Sequence, residues 1–464
     1  MSLFIGGMDT TVVNLGLPAI RADLHASLTD LQWVIDIYSL GVASLQMFTG
    51  ATGDRLGRRR IFQIGLGVFT VASLLCGLAP NLGWLLAFRG LQAVGASMLN
   101  PLALSLIASV FADPGQRARA FGIWSGVYGV SLATGPIIGG VLIGSVGWRA
   151  IFWINVPLGL AALVLTVVLV PESRAARPRP VDPAGQLLIA ALIGGLTFAI
   201  IEAPRSGWLS GRADLAGGVA LAAGVLFVRH ELRTRHPMLD LRLFRRPPFA
   251  SAILIGVLSN GGFYSGLFLA SLYLQQVRGN GPVAAGLYLL PMGVMTAVFA
   301  PATGRMIARA GPRRPLLWSG VLLAGGAAVV AVAVSRASDP LVLIGLSATA
   351  AGFGFVNAPV TYIATHEMPA EQAGVAAAAT STSRLIGSAL GVAVVGSVLA
   401  ERTQGPIARG FVPASGPCWW IIAGCGLGVL AISARVTAAA TSGLDRADRL
   451  VEAGPPADHR AQLR

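Results

Sequence analysis

Long apolar runs dominate this sequence. Fourteen of them, separated by charged or Pro/Gly-rich segments, cover most of the chain between residues 1 and 436. Each is long enough for a helix to cross a bilayer, which takes about 20 apolar residues. A soluble core cannot absorb so many, because single cores stop growing at about 250–300 residues. The pattern predicts an all-α integral membrane protein with about fourteen transmembrane helices.

The basic residues indicate how the chain is oriented. All 34 of them are arginine, and the net charge is +14. With both termini in the cytoplasm, 24 arginines fall in inner segments and eight in outer loops, as the positive-inside rule expects. We therefore predict a multi-pass protein of the cell inner (plasma) membrane with both termini cytoplasmic. The first run lacks a basic leader and a cleavage site, so we expect a membrane helix there, not a signal peptide.

Several functions are disfavoured by what the sequence lacks. Without lysine there is no Walker A loop for ATP and no Schiff base for a cofactor. The three cysteines and five histidines show no metal-ligand spacing. The basic loops carry no stacking aromatics, which argues against nucleic acid. We expect no enzyme activity, no cofactor and no metal.

Two loops repeat one pattern. Residues 50–60 follow the second run, residues 304–314 follow the tenth, and Gly, Arg, Gly, Arg and Arg recur at equal offsets. A chance match of two basic loops is the alternative. A true repeat predicts parallel half-repeats, as in many transporters. The predicted divisions are an N-terminal six-helix bundle (1–175), an inserted two-helix segment (176–236), a C-terminal six-helix bundle (237–440) and a cytoplasmic tail (441–464).

The first of these loops resembles the signature loop of the major facilitator superfamily. The matching residues are Gly50, Asp54, Arg55, Gly57, Arg58 and Arg59. Glycine permits tight turns at helix ends, and Asp54 among arginines is expected to act as a conformational latch between helices. The alternative is a charged turn that anchors the loop at the headgroups. The second copy has Ala308 in place of Asp54.

The fourth run contains Arg89, within a segment that resembles the superfamily's helix-4 motif, although Ala93 replaces an expected glycine. An arginine at membrane depth costs about 2.5–3.5 kcal/mol on insertion scales. Such a residue normally pairs with another group and faces a cavity. The alternative is an arginine that extends to the outer surface.

The fifth run resembles the motif typical of antiporters in the superfamily, through Gly135, Pro136, Gly139 and Gly140. Small residues let helices approach closely, and the proline kinks the helix. Ordinary small-residue packing is the alternative. The resemblance implies export.

Two acids lie in the first two runs. The segments 8–18, 32–38 and 148–157 resemble the fourteen-helix drug:proton antiporter branch, although fewer residues precede Asp9 than that branch usually has. An acid inside a membrane helix is a functional candidate, because a carboxyl group can take up a proton to avoid a buried charge. We expect proton coupling at Asp36, Asp9 and Arg89. The alternatives are an interfacial Asp36 beside Trp33, and an Asp9 held by Thr10 or a neighbouring helix.

Pockets for amphipathic ligands combine aromatic walls with few polar groups. Candidate cavity residues are Asn14, Tyr38, Asn260, Tyr264, Tyr288, Asn357 and Arg384. Packing or interface anchoring is the alternative for each, and Arg384 either pairs with an acid or attracts an anionic substrate.

The resemblance implies a proton-coupled antiporter that exports hydrophobic or amphipathic small molecules (drugs, antibiotics or metabolites) by alternating access. The expected partners are that substrate, protons and the lipid bilayer, without ATP, and the chain is expected to be monomeric. One alternative is a proton-coupled uptake symporter of the same fold. A non-transporting receptor or scaffold is a second, which the short loops disfavour.

Overall fold

A computed structural model describes residues 1–452 except 112, 176–181, 207–210, 235–236, 366–367, 369 and 404. The described residues form helices, turns and irregular segments without a strand, and fourteen helices are long and apolar enough to cross a membrane. They are α1 (Ser2–Leu24), α2 (Leu28–Leu56), α3 (Arg58–Gly77), α4 (Leu82–Val110), α5 (Pro114–Ser145), α6 (Ala150–Leu169), α7 (Pro183–Ser206), α8 (Gly211–Arg233), α9 (Pro247–Val277), α10 (Pro282–Ala310), α11 (Arg313–Ser335), α12 (Asp339–Thr365), α13 (Ala370–Arg402) and α14 (Ile407–Glu452). The expected all-α membrane fold is confirmed.

Three of these helices are irregular. Helix α6 has a break at Ile154, and α12 has one at residues 355–356. Helix α9 ends in a π-helical turn, Tyr273–Val277, a feature that often marks functional sites.

Local sequence sets where several helices begin and end. Ser27 and Asp30 form a capping box at the start of α2, which satisfies backbone N–H groups that have no partner inside the helix. Gly57 ends α2 with φ 118°, and Gly311 ends α10 with φ 71°. Both conformations favour glycine. The two glycines occupy the same offset in the two copies of the repeated loop.

The N-terminal helices α1–α6 and the C-terminal helices α9–α14 meet along two seams. In one seam α5 packs on α10 so closely that a Cβ added at Gly140 would lie 2.7 Å from the Pro282 carbonyl oxygen. In the other, α2 lies against α13, and Gln46 Nε2 donates to Thr382 Oγ1 at 2.7 Å.

Apolar packing joins the two groups of helices mainly on one side. The largest buried cluster combines side chains of α1, α5, α9 and α14 near the end where α1 ends, the predicted outer side. Two smaller clusters lie nearer the other side, and their buried members come from N-terminal helices in one and C-terminal helices in the other. Apolar contact between the groups is therefore greatest toward the predicted outer side.

Helices α7 and α8 pack on each other, and α7 also contacts both groups. On α2, the ring of Trp33 lies 5.8 Å from that of Phe198 in α7. On α13, Ser397 Oγ donates to the Ile200 carbonyl at 2.8 Å. The inserted pair therefore covers the seam between α2 and α13.

Candidate functional site

A buried ion pair connects α1 to α4. Arg89 is 1% exposed and its Nη1 lies 2.7 Å from Asp9 Oδ2. Asp9 Oδ1 accepts from Gln92 Nε2 at 3.1 Å and from Asn155 Nδ2 at 3.0 Å. Arg89 also donates to Gln92 Oε1 at 2.6 Å and to the Val34 carbonyl at 3.1 Å. A buried pair is stable only when such extra hydrogen bonds satisfy its remaining polar atoms.

The same guanidinium lies over an aromatic ring of α2. Its carbon is 4.3 Å from the ring centroid of Tyr38, which is within range of a cation–π interaction. Arg89 therefore holds α1, α2 and α4 together, with Asn155 added from α6. The alternative of an arginine extended to the outer surface was wrong, because Arg89 points inward to a partner that desolvation makes necessary.

Asp36 has very different surroundings. It is 0% exposed, and neither of its carboxyl oxygens has a hydrogen-bond partner among the described residues. No interfacial position beside Trp33 is compatible with that burial. Its neighbours one turn away on α2 define the surface on which it lies: Gln32 donates to the Ala393 carbonyl of α13, and Leu40 packs with Ile193 of α7. Asp36 thus lies where α2, α7 and α13 meet.

The charged loop between α2 and α3 is tied to the end of α6. Arg58 Nη2 lies 2.8 Å from Asp54 Oδ1. The Glu172 carboxylate accepts from the backbone N–H groups of Arg59 and Arg60, at 3.0 and 3.2 Å. An acid at the start of α3 is favourable because the helix dipole is positive there. Asp54 and Glu172 together fix this loop, and sequence reasoning missed Glu172.

Only one of the two glycines expected to form turns does so. Gly57 has φ 118°, and an added Cβ would lie 2.9 Å from the Glu172 carboxyl group. Gly50 lies inside α2, and its nearest atom would be Pro101 Cβ at 3.5 Å. The expected turn at Gly50 was wrong, because α2 continues to Leu56.

The small residues of α5 serve close packing on two sides. An added Cβ at Gly139 would lie 2.9 Å from Val12 of α1, and one at Gly135 would collide with Thr11. Gly140 faces α10, as described above, and Pro136 lies inside the helix. The motif therefore brings α5 against α1 and α10 at once.

Arg384 is a half-buried cation of the C-terminal helices. Its Nη2 donates to the Asn357 carbonyl at 3.1 Å and to Thr361 Oγ1 at 2.5 Å, both in the second part of α12. Its Nε is buried without a partner. Among the described residues no carboxylate lies within ion-pair distance of it.

An aromatic cluster lies beside Arg384. Tyr128 of α5 and Tyr264 of α9 share a hydrogen bond between their hydroxyl oxygens at 2.8 Å. Phe263 stacks on Phe353 of α12 with ring centroids 4.0 Å apart, and Tyr264 packs edge-on against the same ring at 6.1 Å. The hydroxyl pair connects an N-terminal helix to a C-terminal one.

The structure thus separates the predicted cavity residues into several places. Tyr38 joins the Asp9–Arg89 network, whereas Tyr264 and Asn357 join the cluster around Arg384. Asn14 and Asn260 bond carbonyls of their own helices, at 2.8 and 3.0 Å. Tyr288 lies outside both groups, because it is partly buried and packs against the largest buried apolar cluster.

Sequence reasoning also missed participants. Asn155 lies in the segment 148–157, but no feature of that segment predicts a hydrogen bond to Asp9. Tyr128 precedes the glycine motif of α5 without a signal of its own. Among the described residues, no group of three His, Cys, Asp or Glu could hold a metal ion.

Comparison with known proteins identifies relatives for most of the chain. The sequence profile of the Major Facilitator Superfamily matches residues 1–392. Multidrug resistance protein Stp of Mycobacterium tuberculosis is 38% identical over 400 residues, which cover 86% of this chain and 74% of that protein. The tetracenomycin C resistance and export protein of Streptomyces glaucescens is 39% identical over 402 residues, or 85% of this chain and 73% of that one.

Solved structures show the same architecture. The xylose transporter XylE from E. coli, in a partially occluded inward-open conformation, superposes with a TM-score of 0.63 over 92% of this chain and 94% of that one. The two sequences are 15% identical, so this similarity shows the fold alone.

Proposed function

This chain belongs to the major facilitator superfamily, and from that premise we propose that it is a proton-coupled antiporter. It exports hydrophobic or amphipathic small molecules, such as drugs, antibiotics or metabolites, by alternating access. Relatives at 34–39% identity over most of the chain bear names of multidrug or antibiotic resistance and efflux proteins. The names of those relatives support export, not uptake, as the direction of transport.

The observation that carries proton coupling is Asp36. Its carboxyl group lies in the membrane-spanning part of α2, and among the described residues it has no cation and no hydrogen bond to stabilise a negative charge. Such a group can be neutral by holding a proton, and it can become charged only when its surroundings change. Asp36 lies at the seam between α2 and α13. Rocking of the two helix groups against each other would change the surroundings of its carboxyl group there.

Asp9 and Arg89 have a different part in this proposal. Their mutual pairing leaves no net charge at that position. The network also connects α1, α2, α4 and α6, so a proton on Asp9 would weaken its hold on Arg89 and loosen four helices at once. Asp9 and Arg89 are therefore proposed to transmit proton binding to the N-terminal helices.

The loop around Asp54 is proposed as the conformational latch. The Asp54–Arg58 pair and the Glu172 bonds connect α2, α3 and the end of α6. We propose the helix division stated above, with six helices on each side of an inserted pair. Both termini are cytoplasmic, the membrane is the plasma membrane, the chain is monomeric, and ATP is not used.

A proton-coupled symporter of the same fold is the second candidate, because the carboxyl and the seams described here would serve either direction. The close packing of α5 on α1 and α10 favours the antiporter only through its resemblance to the antiporter motif.

Everted membrane vesicles that contain the chain test the proposal. We expect a fluorescent amphipathic dye to accumulate inside these vesicles in a way that depends on the proton gradient and stops when a protonophore is added. Accumulation that survives the protonophore but stops on ATP depletion would contradict proton coupling.

A further inference from the structure

Arg384 is a cation with no acid within ion-pair distance among the residues that the structure describes. The described part of the chain contains one other arginine deep in the membrane-spanning helices, Arg89, and Asp9 neutralises it. Arg384 has two neutral acceptors, Asn357 and Thr361, and its Nε has none. An uncompensated guanidinium at membrane depth is costly, and it is normally retained for a function.

The side chain is held in place by α12. Both acceptors belong to the second part of that helix, so the guanidinium is oriented by it. Arg384 also interacts electrostatically with Tyr128 of α5, which belongs to the N-terminal helices. Arg384 therefore lies where the two groups of helices meet.

The residues around Arg384 are not fully buried. Arg384, Tyr128, Asn357 and Thr361 are each partly exposed although they lie on long helices.

Several aromatic rings lie near Arg384 in the structure. Asn357 lies one turn beyond Phe353 on α12, and Phe353 stacks on Phe263. Tyr264 packs against Phe353 and shares a hydrogen bond with Tyr128. Tyr128 in turn interacts electrostatically with Arg384. We call Arg384, Tyr128, Tyr264, Phe263 and Phe353, which these interactions connect, the Arg384 cluster.

We propose that the Arg384 cluster is the substrate site, and that it selects aromatic molecules carrying one anionic group such as a carboxylate. A guanidinium has a planar arrangement of donors that matches a carboxylate. Tyr128 is the partly exposed ring of the cluster, whereas Tyr264, Phe263 and Phe353 are buried. An aromatic surface with a few polar groups suits a ring system and sets its orientation. This inference deepens the proposed function and rests on it, because it names the substrate class of that transporter.

Equilibrium binding to the purified full chain in detergent tests the inference without a proton gradient. The probes are 9-anthracenecarboxylate and 9-anthracenecarboxamide, which share a ring system and differ in charge. The wild type is expected to bind the carboxylate about tenfold or more tightly than the carboxamide, because a hydrogen bond to a charged group typically raises affinity by about that factor. Arg384→Gln should reduce the ratio of the two affinities to about one.

Two further variants complete the design. Arg336→Gln removes an exposed arginine and should leave the ratio unchanged. Arg384→Lys keeps the charge without the planar donors, so it should retain a smaller preference for the carboxylate. It also provides a test if the Gln variant does not fold.

Equal binding of both probes by the wild type, or an unchanged preference in Arg384→Gln, would overturn the inference. So would a Lys variant that prefers the carboxamide. Because no gradient is involved, these outcomes leave proton-driven export untouched. Conversely, efflux that ignores a protonophore would refute proton coupling and leave the binding result standing.

Discussion

Two acids in neighbouring helices have opposite surroundings. Asp9 accepts hydrogen bonds from Arg89, Gln92 and Asn155, whereas the Asp36 oxygens have no partner among the described residues. Removing one member of a buried ion pair leaves the other charge uncompensated, and this typically costs about 3–5 kcal/mol. Removing a carboxyl that has no partner carries no such cost.

We therefore predict that Asp9→Asn lowers the thermal stability of the purified protein far more than Asp36→Asn does. The expected loss is about 3–5 kcal/mol for Asp9→Asn and within about 1 kcal/mol for Asp36→Asn. Thermal unfolding of both variants in one detergent is the measurement. Equal losses would mean that Asp36 has a partner in the folded protein, or that the Asp9–Arg89 pair adds no stability.

Backbone conformation at the loop after α2 gives a second pair of variants. Gly57→Ala should destabilise the protein by about 1–3 kcal/mol, because φ 118° is strained for alanine and its Cβ would press on Glu172. Gly50→Ala is the matched control within the same motif. It lies in a helix with space for a methyl group, so it should be neutral or stabilising by up to about 1 kcal/mol. Thermal unfolding that shows equal effects would contradict the assigned loop conformation.

At the scale of elements, the charged loop connects three helices at one end of the molecule. Asp54→Asn removes its ion pair with Arg58 while leaving the Arg384 cluster unchanged. We predict that the transport rate falls more than substrate affinity does, because the loop is proposed to act on the conformational cycle. Binding in detergent and transport in proteoliposomes, measured on the same preparation, separate the two effects.

Glu172→Gln is the natural companion of that variant, since Glu172 accepts two backbone N–H groups of the same loop. It should show the same pattern of slowed transport and retained binding. If either variant loses affinity as far as it loses rate, the latch assignment is wrong.

The elements were predictable from the sequence to unequal degrees. Helix number follows from hydropathy, because each crossing of a bilayer needs its own apolar run, and all fourteen runs became helices. The turn at Gly57 follows from local chemistry. The partner of Arg89 does not, because Asp9 lies 80 residues away and only tertiary packing brings them together. The sequence shows Arg384 as a cation within an apolar run and leaves its partner open, and Tyr128 and Phe353 carry no local pattern that would assign them to it.

At the scale of the whole molecule, the two groups of helices touch through seams that differ in chemistry. The α5–α10 seam is built from small residues in close contact. The α2–α13 seam carries hydrogen bonds between side chains and backbone, such as Gln46 to Thr382, and the inserted helix α7 covers it. Asp36 lies at this second seam. The proposed change in its protonation would therefore act where the helix groups meet.

The most direct test of proton coupling is transport by Asp36→Asn in proteoliposomes with an imposed pH gradient. Asparagine keeps the size and hydrogen-bonding capacity of the side chain but cannot titrate. Gradient-driven export should be lost in this variant while the protein stays folded and inserted, and Asp36→Glu should keep some coupling with a shifted pH optimum. An Asp36→Asn variant with full pH-gradient-driven export would contradict the assignment, and Asp9 would then become the leading candidate for the proton carrier.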